Sequence, residues 1–154
     1  MIIRKINELN KPKRKSLVLG YWLLLPFVFF MYLLTFAAVN SSSVGTLLTS
    51  IPSLTLTFLL SCLMLVQAYL LFRLTTKDID EKLLNRFLLF SMLQQLFTAN
   101  LIGTVLLYFY RKSLKDGPLE DTCEATWTIR FEAYTLMGMV GILSALVVTL
   151  TLIQ

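Results

Sequence analysis

The 154-residue chain is 56% hydrophobic and only 15% charged, with a mean hydropathy of +0.73 and a net charge of +5, whereas soluble domains carry about 25% charged residues. Residues 16–72, 87–110 and 133–154 hold no charged side chain, so the chain lacks a polar shell and reads as an integral membrane protein. Histidine is absent, which excludes His-ligated haem or zinc and removes the commonest general base.

Residues 1–16 carry six Lys or Arg against Glu8 and read as a basic cytoplasmic N-terminal segment flanking a membrane helix. The positive-inside rule accounts for such a flank without a nucleic-acid partner. The first span is expected at 17–38, long enough to cross a hydrocarbon core of roughly 30 Å. Tyr21 and Trp22 fall near its basic end, where an interfacial aromatic belt would lie. A run this long favours a retained anchor over a cleaved signal, whose apolar region is usually about 7–15 residues.

Asn40, three serines and Gly45 form the only strong turn signal before Arg73. The second span is therefore expected at 51–72, with Ser50 as N-cap and Pro52 in the first turn, where its missing N–H costs little. A charged loop follows, then a third span at 87–110, an outer loop at 111–131 and a fourth span at 132–152. With four spans, ten Lys or Arg fall on one side and four on the other. This predicts a multi-pass protein of the cell membrane with both termini cytoplasmic. The expected fold is all-α, a four-span antiparallel (up-down) transmembrane helix bundle over residues 17–152.

Three groups of side chains stand out. In the third span Ser91, Gln94, Gln95 and Thr98 share an arc of about 100°, while Asn100 points away. Such a stripe either hydrogen-bonds across the bundle or lines a path for a polar solute. In the fourth span Thr135, Gly138, Gly141, Ala145 and Thr149 form a small-residue arc, a candidate helix-contact face. Glu120, Asp121 and Glu124 cluster in the outer loop. The two cysteines, Cys62 and Cys123, lie too far apart in the expected topology for a disulfide between them.

No catalytic, metal-binding or cofactor-binding set is recognisable, and the charge-free spans lack the intramembrane carboxylates and cations of ion-coupled pumps. The expected function is therefore non-enzymatic association in the bilayer, as an accessory subunit, regulator or immunity-type protein. Its partners would be lipid and another membrane protein or a second copy. The alternative is a pore or carrier, holin-like or oligomeric, lined by the third-span stripe.

Overall fold

The computed structural model describes residues 2–76, 81–115 and 127–153, all of its regular structure helical: α1 (Ile2–Val39), α2 (Val44–Ser50), α3 (Pro52–Thr76), α4 (Glu81–Phe97), α5 (Leu101–Lys115) and α6 (Trp127–Ile153). Three of them are long and apolar enough to cross a membrane: α1 from Lys13, α3, and α6 to Thr151. They correspond to the first, second and fourth expected spans. Helix α1 also runs back through the basic segment to Ile2, so that segment continues the first helix.

The expected third span is broken. Instead of one helix over 87–110, the chain forms α4, a turn at 98–100, and α5. At 17 and 15 residues these helices are about 25 and 22 Å long, each shorter than a hydrocarbon core of roughly 30 Å. They fold back antiparallel, because Arg111 Nε near the end of α5 donates to Asn85 Oδ1 near the start of α4 at 2.8 Å.

Local chemistry ends α4 cleanly. Ala99 adopts a left-handed φ of 57°, the Ala99 N–H donates to Leu96 O at 3.1 Å and the Asn100 N–H to Gln95 O at 2.8 Å. This is a Schellman closure, which satisfies carbonyls the helix would otherwise leave open. Asn100 then starts α5, its Oδ1 accepting from the Gly103 N–H at 3.1 Å as an N-cap does. The same closure ends α1, where Ser41 has a φ of 51° and the Ser42 N–H reaches Ala37 O at 3.1 Å.

The connection between α1 and α3 holds the short α2, capped by Ser43, whose side chain accepts from the Thr46 N–H. Ser50 does not cap α3 as expected. It is the last residue of α2, and Ile51 takes the extended conformation that lets Pro52 begin the next helix.

Helix α3 packs antiparallel to α1, α5 lies along α1, α6 lies along α3, and α4 sits centrally, touching α3, α5 and α6. Phe87, Leu88, Leu70, Leu71 and Leu107 have essentially no exposed surface. Trp22 joins them instead of an interfacial belt: it is fully buried and meets Phe87 edge-on, with centroids 6.3 Å apart.

Candidate functional site

Inside this packing the structure gathers a polar cluster from three helices. Gln67 on α3 donates through Nε2 to Gln94 Oε1 at 2.9 Å, and Gln95 Nε2 donates to Gln67 Oε1 at 2.9 Å. Gln94 Nε2 donates onward to Ser144 Oγ on α6 at 3.1 Å. All four side chains are buried. A chain of amides in a low-dielectric interior ties α3, α4 and α6 together, because each group would otherwise be stranded without water.

Of the expected stripe, Ser91, Gln94 and Gln95 do face inward from α4. Thr98 departs from it: it lies in the turn just past α4, its hydroxyl donating to the carbonyls of Gln94 and Gln95 at the helix end. Sequence reasoning missed Gln67 and Ser144. Gln67 is the single amide in its helix, a signal that was present but had no polar neighbours to mark a stripe. Two buried oxygens, Ser91 Oγ and Gln95 Oε1, have no hydrogen-bond partner.

The hairpin tip closes over this cluster. Tyr21 on α1 donates its hydroxyl to Asn100 Oδ1, and Gly103 lets α5 approach so closely that an added Cβ would lie 2.6 Å from Gln95 Oε1 and 3.1 Å from Asn100 Nδ2. Gly103→Ala should therefore lower stability by about 1–3 kcal/mol through overpacking. Gly138→Ala, with nothing within 4 Å of its added Cβ, should be neutral or stabilising by up to about 1 kcal/mol. Thermal unfolding in detergent compares the two, and equal stabilisation of both would refute the close approach at the tip.

The small-residue arc of α6 does not supply its internal contacts. Ala133, Val140, Ser144 and Val147 are buried, whereas Thr135, Gly138, Ala145 and Thr149 are exposed. Gly141 is half-buried, and a Cβ there would meet the Phe90 ring at 3.6 Å. Helix α6 thus uses the neighbouring face, whose Ser144 completes the amide chain. The acidic cluster Glu120, Asp121 and Glu124, together with Cys123, lies outside the described residues.

At the opposite end from the tip, charged groups form a belt. Arg73 on α3 pairs with Glu132 on α6 at 3.1 Å, and the Tyr69 hydroxyl donates to the other Glu132 oxygen at 3.1 Å. Arg14 on α1 donates to Phe109 O at 3.2 Å, Lys15 to Thr75 O at 3.5 Å and Arg86 to the Tyr134 hydroxyl at 2.8 Å. The start of α1, the end of α3, both feet of the hairpin and the start of α6 therefore share one level. Among the described residues no group of three or more Cys, Asp or Glu is placed to hold a metal ion.

Comparison with protein-family models, curated proteins and solved structures finds no match to this chain.

Proposed function

We propose that the chain is a small non-enzymatic, multi-pass protein of the cell membrane that works by association with another membrane protein or with a second copy of itself. Accessory subunit, regulator and immunity-type protein are the roles this chemistry serves. The observation that carries the reading is the fate of the polar stripe. Gln94 and Gln95 spend their donors on Gln67 and Ser144 within the bundle, which favours adhesion between helices over a lining for a pore or carrier. Meanwhile α1 and α6 keep only 22% of their apolar windows buried, against 44% for α3. Their outward faces are open to lipid or to a partner helix, and on α6 Gly138 offers a close approach for one.

The membrane arrangement belongs to the same proposal. With α4 and α5 as a re-entrant hairpin, the chain crosses three times, and segments 1–15, 73–86 and 111–130 share one side. Those segments contain all fourteen Lys and Arg residues, a more complete asymmetry than the ten against four of a four-span arrangement. The positive-inside rule puts this side in the cytoplasm. The N-terminal basic segment stays cytoplasmic, while the end of α6 emerges on the far side with the 40–51 connection. In place of two cytoplasmic termini, this topology has one.

Affinity purification from native membranes, with crosslinking before solubilisation, tests the function. The expected result is one other membrane protein or a second copy retained in fixed ratio. Gly138→Leu should abolish that retention without lowering the unfolding temperature, since nothing in the chain itself lies within 4 Å of an added Cβ. A solitary chain whose expression collapses the membrane potential would instead support the pore.

A further inference from the structure

Two hollows lie along the seam where α4 and α6 run parallel. At the charged end is one of ≈ 510 Å³, lined by Lys82 and Arg86 on α4 and by Trp127, Arg130, Phe131 and Tyr134 on α6. Deeper on the same seam is a groove of ≈ 490 Å³, walled by Phe90, Leu93 and Phe97 on one side and by Gly141, Ala145 and Val148 on the other. One hollow is basic and aromatic, and the next is almost wholly apolar.

We propose that this seam binds one anionic phospholipid, with its phosphate held by Lys82 and Arg86 and an acyl chain laid in the groove beyond. The site rests on the re-entrant topology above, which puts the basic hollow at the cytoplasmic surface. Charge complementarity identifies the headgroup. Lys82 and Arg86 stand four residues apart on one helix, so both cations face the same hollow, where a bound anion would relieve their mutual repulsion. The Tyr134 hydroxyl holds the Arg86 guanidinium at 2.8 Å, orienting a fork suited to phosphate oxygens. Basic pockets between membrane helices on the cytoplasmic side are the recurrent chemistry of anionic-lipid recognition.

Length identifies the tail. From Arg86 to Phe97 the α4 axis advances about 16 Å at 1.5 Å per residue, close to half of a hydrocarbon core of roughly 30 Å. The groove therefore matches one lipid tail in one leaflet. Gly141 keeps it open, because a side chain there would project against the Phe90 ring. Trp127, at 80% exposure, flanks the headgroup end, where amphipathic Trp rings sit at the level of lipid headgroups, and Phe131, at 64%, adds an apolar ring beside it.

The experiment is native mass spectrometry of the purified full chain, titrated with phosphatidylglycerol or phosphatidylcholine of identical acyl chains. One phosphatidylglycerol should be retained per chain, with about tenfold preference over phosphatidylcholine. Lys82→Gln, which removes no hydrogen bond seen among the described residues, and the double variant Lys82→Gln/Arg86→Gln should lower that preference progressively. Gly141→Leu should weaken retention of the long-chain lipid but not of its short-chain analogue. Equal retention of the two lipids, indifference to Gly141→Leu, displacement by millimolar inorganic phosphate, or a crosslink from the seam to a protein in place of lipid would each overturn the proposal. A failure here with partner retention intact would leave the association reading standing, because that reading is tested at Gly138.

Discussion

A cysteine placed at Lys112, in a chain whose Cys62 and Cys123 are replaced by Ala, should resist an impermeant thiol reagent in intact cells and react once the membrane is permeabilised. A cysteine at Lys13 should behave identically, and one at Ser42 should react from outside. The result is all-or-none because α4 and α5 either turn back at 98–100 or continue as one crossing. Arg111 bonded to Asn85 and Arg14 bonded to Phe109 O put the end of α5 level with the start of α4 and the basic start of α1. A bilayer tolerates a non-helical turn only where protein shields its backbone, and here the turn is closed by its own hydrogen bonds and by Tyr21. Labelling of Lys112→Cys from outside would dismiss the hairpin and restore four crossings.

The second large effect is expected at Gln67, which supplies both a donor and an acceptor to the amide chain. Gln67→Leu removes two hydrogen bonds and strands the groups of Gln94 and Gln95 that it served. Interhelical hydrogen bonds in membranes average about 0.6 kcal/mol and reach about 1.7, so the expected loss is about 1–3 kcal/mol once the stranded groups are included. Gln95→Leu should cost less, because it removes one bond together with an oxygen that already lacks a partner. The triple replacement Gln67→Leu/Gln94→Leu/Gln95→Leu should fall well short of the sum of its parts, since leucines strand no amide. Ser61→Ala serves as the control: its buried hydroxyl donates only to Thr57 O within its own helix. Unfolding in mixed micelles measures the series, and strict additivity with Gln67 no costlier than Ser61 would show that the amides do not act as one network.

These expectations separate what could be read along the chain from what could not. The apolar class and the three helices long and apolar enough to cross a membrane were legible, because charge and hydropathy report directly on which segments lipid will accept, whereas the start of α3 was legible only in part, since Ser50 ends α2 in place of capping α3. The inward set Ser91, Gln94 and Gln95 was legible for the same reason, since polar groups in lipid must face protein. Apolar side chains carry no such information. Lipid solvates leucine as well as a protein core does, so nothing in α1 marked Trp22 for burial against Phe87, and nothing in α6 marked Val140 and Val147 for the inside over the small-residue arc beside them. The break at 98–100 was hidden because Thr98, Ala99 and Asn100 are uncharged and include neither Gly nor Pro, so hydropathy runs through them unbroken. Its reason is tertiary. Asn100 can cap a helix anywhere, but Tyr21 of α1 reaches it, Gly103 lets α5 lie against Gln95, and Gln67 and Ser144 hold α4 in place. Only the packed helices bring those distant residues together, and with them the turn that folds α5 back along α4 was decided.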